Sequence, residues 1–396
     1  MLRALALSAI LIPGALTAQT LTYGRANVPE FAPAFTNQTR AGLVQSDIDL
    51  RTETVAQGLT RPWGIDRLPD GSYLVTERPG RLRLITPAGD VSAPISGVPT
   101  LLAERQGGLL DVELSPDFAT DRTVFLSYSK PLGGGQSTLA VARATLSDDG
   151  ATLRETTDIF VGGPGSRNPM HYGSRVVAAP DGILYITTGE HFSRTERRYA
   201  QDIDKTHGKV LRIQTDGTAP ADNPFANNSA ARPEVFSYGH RNVQGAALRP
   251  GTSQLWTIEH GPKGGDELNR IEAGANYGWP VASYGENYNG SSVGKGISDH
   301  AGNGFAEPRY YWDPVIAPSG MTFYDGALFP EWQGDVLIAA LAGRGIVRVK
   351  LDGDRVIEEE RLLTDLGRVR DVMVDTDGSL IALTDADGTL VRITRR

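Results

Sequence analysis

Three stretches decide the fold: LPDGSYLVTE at 68–77, APDGILYITTGE at 179–190 and DTDGSLIALTD at 375–385. In each, an Asp-Gly pair turns the chain into a short apolar or alternating run of strand length. Three looser copies, SPDFATDRTVFLSYS from Ser115, RPGTSQLWTIEHG from Arg249 and FPEWQGDVLIAAL from Phe329, keep the turn and the run without the Asp-Gly pair. The turns fall near 69, 116, 180, 250, 330 and 377, at gaps of 47, 64, 70, 80 and 47 residues. A gap of 47 residues suits one four-stranded propeller blade, and the longer gaps suit a blade carrying an inserted loop. The expected fold is therefore all-β, a six-bladed β-propeller of four-stranded antiparallel blades. A closed ring has to hide its sheet edges, so Gly388 to Thr394 should pair with Arg51 to Gln57. A pair of β-sandwiches is the alternative architecture. Beyond the first residues no 3.6-residue periodicity is sustained, which argues against a doubly wound α/β fold.

Composition agrees with many short strands: 46 Gly and 24 Pro among 396 residues mark a turn-rich globular chain. The 39 Lys and Arg against 47 Asp and Glu leave a net charge of −8 with no basic run, so nucleic acid is not the expected partner. The absence of Cys excludes disulfides, thiolate nucleophiles and Cys-ligated metal centres. Met1 to Ala18, MLRALALSAILIPGALTA, has a basic start, an apolar run and small residues before Gln19, and reads as a secretory signal peptide. Its apolar run is shorter than the ~20 residues needed to span a bilayer, so no membrane span is expected and the destination is the periplasm or the exterior. Residues 19–46 read as a polar lead-in without a strand, and 47–396 as one propeller domain.

Several motifs carry little. GSSVG at 290–294 lacks the helix that a nucleophile elbow requires, DTDG and DADG lack the acidic end of a calcium loop, and no two His have H-x-x-x-H spacing. What remains is a series of dense loop segments: ERQGGLLDVELSPDF, NPMHYGSRVVAAPDG, AQDIDKTHGKVLRI, SYGHRNVQGAALRP, EHGPKGGDELNRIEAGANYGWP, PVIAPSGMTFY and GRVRDVMVDTDG. In this order, from about Val55 to Ile393, they resemble the soluble quinoprotein sugar dehydrogenases, six-bladed propellers that use pyrroloquinoline quinone (PQQ) and calcium to oxidise aldoses. The SYGHRNVQG, EHGPKGGDELN, GANYGWP and APSGM strings are most similar to the aldose sugar dehydrogenase branch.

Oxidising a sugar at its anomeric carbon requires a base for the hydroxyl proton, a hydride acceptor that no side chain can supply, and positive groups near that acceptor. The resemblance assigns these roles. His171 would be the general base, Arg241 and Asn242 would contact the quinone oxygens, and Gln106 would contact the cofactor. Arg368 and Arg370 would clamp its carboxylates. They lie two apart, so on a strand both would face one side. Calcium would sit on the carbonyls of Gly261 and Pro262, and a second, structural calcium near Asp266, Glu267 and the Tyr277 carbonyl. Three positions depart from the glucose dehydrogenase branch: Met170 stands for an aspartate and His191 for a glutamine near the sugar, and Ala342 aligns with a lysine that contacts the quinone. Arg344 is the nearest substitute for that charge. The implied activity is an exported aldose 1-dehydrogenase that forms lactones and passes electrons to an external acceptor such as a cytochrome or a quinone. Relatives of this kind form homodimers. Two alternatives are a binding module for carbohydrate or protein that has lost its cofactor, motivated by Ala342, and a calcium-dependent lactone hydrolase.

Overall fold

The computed structural model describes residues 22–396, so the Met1–Ala18 leader lies outside the described residues. The three Asp-Gly turns are one structure repeated. Gly71, Gly182 and Gly378 each donate their N–H to the carbonyl three residues back, Leu68, Ala179 and Asp375, at 2.9, 3.1 and 2.8 Å. Their φ angles of 90°, 79° and 84° are in the range that favours glycine. All six turns join the first and second strands of a sheet, and six sheets follow in chain order around a ring.

Each sheet starts at the central axis with an inner strand: Pro62–Arg67, Leu109–Leu114, Gly173–Ala178, Val243–Leu248, Pro318–Phe323 and Val369–Val374 for blades 1 to 6. Neighbouring inner strands lie against one another all the way round, blade 6 against blade 1 included. Every inner strand slips register against its antiparallel partner at its amino-terminal end, between Pro62 and Ile65 in blade 1 and between Gly173 and Val176 in blade 3, for example. Such bulges bend a strand and re-aim side chains at a rim. The core fills the six seams between blades. Leu74, Leu82, Leu109 and Leu126 pack between blades 1 and 2, and Trp256, Leu268, Phe323 and Val336 between blades 4 and 5.

The expected closure is present. Leu50–Ala56 forms the outer strand of blade 6, antiparallel to Leu390–Arg395, with Thr52 opposite Ile393 and Thr54 opposite Val391. Two features differ from the expectation. The lead-in does contain a strand: Gly42–Val44 pairs in parallel with Glu358–Glu360 and becomes a fifth strand covering the outer edge of blade 5. The Asp313 carboxylate pins the segment by accepting the N–H groups of Asn27 and Val28, both at 2.8 Å. Blade 1 has a ladder of three strands, with isolated bridges at Ile85–Val91 and Leu82–Ile95 in place of a fourth; Pro94, between the two bridges, removes a donor that a continuous ladder needs. No helix among the described residues is long and apolar enough to cross a membrane.

The axis is closed by charge. Arg175 from blade 3 donates through one nitrogen to Asp111 of blade 2 at 2.7 Å and to Asp371 of blade 6 at 2.9 Å, and all three are buried. A Cβ on Gly320 would meet an Asp371 oxygen at 1.7 Å, so only glycine leaves that carboxylate room. Burial pushes Asp111 up to about 7, and Arg175 pulls it back toward the charged form. Replacing Arg175 with Met is therefore expected to cost ~3–5 kcal/mol by stranding buried carboxylates. The loss should be smaller at pH 5 than at pH 8 because a protonated Asp111 leaves no charge to strand. Urea unfolding of both proteins at the two pH values measures this.

Candidate active site

All the amino-terminal ends of the inner strands lie on one face, and the residues singled out in the sequence gather there from four blades. Gln106 precedes the inner strand of blade 2, His171 that of blade 3 and Arg241 and Asn242 that of blade 4; Arg368 and Arg370 flank the start of blade 6. His171 is 5% exposed and has a φ of 47°, a strained conformation for a side chain of its size. Gln106 holds it there by accepting the His171 backbone N–H at 2.8 Å.

The imidazole Nδ1 lies 2.9 Å from Glu190 Oε1. Burial and the nearby Arg241 guanidinium push His171 well below the usual histidine range. Burial raises Glu190 to about 7, while Arg241 pulls it down. Above about pH 7, where Glu190 is ionised, the arrangement these directions favour is a neutral imidazole whose Nδ1–H donates to Glu190, which leaves the Nε2 lone pair free to accept a proton. Glu190 carries no signal in the sequence beyond standing immediately before His191. Phe192 carries none either. Its ring, 41% exposed, lies 4.8 Å from the His171 ring and borders a cleft of about 340 Å³ lined also by Glu190, Arg197, Arg241, Trp279 and Tyr288.

His191 and Met170 do not play equal parts. His191 is buried, its Nδ1 is 3.1 Å from the Met170 carbonyl, and its ring packs edge-on between Tyr172 and His207. It supports the loop and does not line the cleft.

Arg241 donates its backbone N–H to Glu259 and one guanidinium nitrogen to the His260 carbonyl at 3.0 Å, and its guanidinium lies 5.2 Å from the Trp279 ring centre. The Asn242 side-chain oxygen accepts the Gly173 N–H at 3.1 Å, so its NH₂ group remains for a ligand. Arg368 and Arg370 do share one side: both reach Asp385, at 3.2 and 3.1 Å. The Nε atoms of Arg241 and Arg370 are buried with no partner among the described residues. Cationic donors left unpaired in this way fit an anionic ligand with several acceptors. Ala342 is exposed and brings no charge, while the Leu341 carbonyl beside it accepts from Arg368.

The carbonyls of Gly261 and Pro262 accept no hydrogen bond among the described residues, and the tight loop they head is held by the Gly261 N–H donating to Asp266 at 2.8 Å. Two free main-chain oxygens suit a hard cation. Asp266 does not. Its carboxylate already accepts three backbone N–H groups, from Gly261, Ile316 and Ala317, all at 2.8 Å, and it acts as a clip between blades 4 and 5. Glu267 is the better-placed acid. With Glu259 and Tyr277 it borders a void of about 10 Å³ under the same loop. Among the described residues no three His, Asp or Glu side chains are grouped to hold a metal ion, so a cation here would depend on main-chain oxygens.

Comparison with known proteins gives matches over most of the chain. A family profile described as Glucose / Sorbosone dehydrogenase matches residues 59–392. The aldose sugar dehydrogenase YliI of Escherichia coli (strain K12) is 41% identical over 350 residues, 88% of this chain and 93% of that protein. The apo-form crystal structure of the soluble aldose sugar dehydrogenase from Escherichia coli matches with a TM-score of 0.83 at 41% identity, over 88% of this chain and 100% of that one. The PQQ-bound aldose sugar dehydrogenase from Streptomyces coelicolor matches with a TM-score of 0.72 at 29% identity, over 89% and 100%.

Long-range proton–nitrogen NMR of the imidazoles tests the electrostatic reading. At roughly pH 6.5, where an unperturbed histidine is half charged, His171 is expected to be neutral, and above about pH 7, with Glu190 ionised, its single proton should sit on Nδ1. A doubly protonated ring at the lower pH would show that the pull of Glu190 outweighs burial.

Proposed function

As a member of the glucose/sorbosone dehydrogenase family this chain is a PQQ-dependent sugar oxidoreductase, and we propose that it oxidises the anomeric hydroxyl of an aldose to a lactone with His171 as the base. The observation that carries this reading is the His171–Glu190 pair at 2.9 Å, a buried imidazole whose neighbours Glu190 and Phe192 line an open cleft. When bound, PQQ supplies the two-electron hydride acceptor that the twenty side chains lack. Arg241 and Asn242 would hold its quinone oxygens, Arg368 and Arg370 its carboxylates, and Gln106 would contact it.

The residues of the chain do the rest. His171 Nε2 takes the hydroxyl proton, and Glu190 fixes the ring in the tautomer that can do so and then stabilises the imidazolium that results. Phe192 and Trp279 wall the cleft with apolar rings. That excludes water from the base and offers flat faces of the kind a sugar ring can lie on. Met170 in place of an acid and His191 turned into the interior support a permissive aldose preference. Calcium is proposed on the Gly261 and Pro262 carbonyls, with a second ion near Glu267 and the Tyr277 carbonyl. Export is proposed from the Met1–Ala18 leader, and an external cytochrome or quinone as the electron acceptor.

Titrating the apo protein with PQQ in calcium buffer, and following dye reduction across a panel of aldoses, tests the reading. Saturable activity that falls on chelation and returns with calcium is expected; quinone-independent turnover would overturn it. Replacing His171 with Ala should lower turnover by at least a hundredfold at saturating PQQ, in the range usual for loss of a general base. Replacing Glu190 with Gln should lower turnover by about tenfold or more and move the acid limb of the pH profile, while leaving cofactor affinity within a few-fold. An unchanged pH profile would remove Glu190 from the proton-transfer step.

A further inference from the structure

Blades 2, 3, 4 and 6 place named cofactor or proton-transfer residues just before or at their inner strands. In blade 1 the same place is taken by Arg61, immediately before Pro62, with Arg78 immediately after the partner strand Tyr73–Glu77. The geometry points to Arg78 and Arg61 as an additional arm of the carboxylate clamp for the quinone, on the blade 1 side of the seam that Arg368 and Arg370 border from blade 6. The inference rests on the proposed function and deepens it.

Four observations support it. First, the two residues are built into the rim. The Arg78 N–H donates to the Arg61 carbonyl and the Leu109 N–H to the Arg78 carbonyl, both at 3.1 Å, and Arg61 is held at a φ of 50°, a conformation kept only where its surroundings dictate it. Second, neither has an acid partner among the described residues. The neighbouring Glu77 is occupied by Arg81 at 2.7 Å and by the Thr60 N–H. Third, the Nε of Arg78 is buried without a partner, as is that of Arg370, a residue only 7% exposed. Fourth, Arg78 lies in the field of Arg370, Arg61 and Arg368, which with burial lower its pKa, and Asp385 is the acid that offsets them.

Arg368 and Arg370 share the one carboxylate of Asp385 and Arg61 and Arg78 pair with no acid among the described residues, so cations on this rim outnumber their partners in a chain whose net charge is −8. Like charges brought together in this way raise the free energy of the empty fold and lower that of a polyanionic complex. PQQ is planar and carries three carboxylates, and two blades of arginine can grip more than one of them at once. Blade 1 would then supply the cation that blade 5 lacks at Ala342.

The test is a PQQ titration of the apo protein in calcium buffer by quenching of tryptophan fluorescence, which reads binding without turnover. Replacing Arg78 with Ala is expected to raise Kd about ten- to a hundredfold, the loss of one charge-assisted contact, and replacing it with Lys should recover part of this. The exposed Arg61 replaced with Ala should raise Kd several-fold and keeps the test available should the Arg78 variants unfold. Arg154, exposed on an outer strand of blade 2, removes the same charge far from the mouth when replaced with Ala and should bind like the parent. Parent-like affinity in the folded Arg78 and Arg61 variants would overturn this inference alone. A parent protein that shows no saturable PQQ binding would overturn the proposed function, and this inference with it.

Discussion

The pairing of Leu50–Ala56 with Leu390–Arg395 is the constraint on which everything else depends. A sheet of this kind has two faces to bury and two edges to hide, and a ring satisfies all six sheets only when the last is completed by chain from the beginning. Closure brings blade 6 against blade 1 and so joins residues that are far apart in sequence. Asp371 meets Arg175 and Asp111 on the axis, and Arg370 comes within the field of Arg78. An open chain of the same blades would keep most of its ladder hydrogen bonds and lose the site. The stability of the ring and the geometry of the mouth are therefore one property.

The register slip at the start of every inner strand shows how the mouth is made. A regular ladder would alternate side chains up and down through the rim, with half of them pointing into the seams. The slip breaks that alternation at the site end of each blade, at Ser174 and Arg175 in blade 3 and at Gln244 in blade 4, directly after the residues of the site. The positive φ of His171 and Arg61 belongs to the same rim. Strain concentrated there is carried by seams packed with Leu, Val and Trp a few ångströms below.

Much of this was legible in the chain because it is written in local chemistry. Asp-Gly turns announce themselves, and their spacing counted the blades and located the closing strand. The spacing of Arg368 and Arg370 put them together, and Asp385, reached by both, holds them on one side across the slip between Val369 and Asp371. What escaped was decided by contacts distant in sequence. Nothing about Asp266 says that three backbone N–H groups from two segments will saturate its carboxylate. His191 looks like a sugar ligand until the packing of Tyr172 and His207 around it is known, and Glu190 becomes the partner of His171 only once the blade 3 hairpin folds. The strand at Gly42–Val44 was illegible for a related reason: three residues form it, and only the open edge of blade 5 makes them a strand.

The electrostatics of the base turn on Arg241. Burial alone would drive His171 and Glu190 to their neutral forms, leaving a protonated acid and an imidazole with no settled tautomer. A fixed cation beside both acts on them unequally. It pushes the imidazole further from protonation and draws the carboxylate back toward ionisation. The two effects lean toward one state, reached above about pH 7 where Glu190 is ionised: a neutral ring oriented by a charged acceptor, able to take a proton through Nε2. Once the proton arrives, the new imidazolium faces a carboxylate at 2.9 Å, so the charge is met without any rearrangement of the protein. Arg241 would thus serve the base and the quinone oxygens from one position, and its unpartnered Nε and its packing on Trp279 are what fixed placement for both demands looks like.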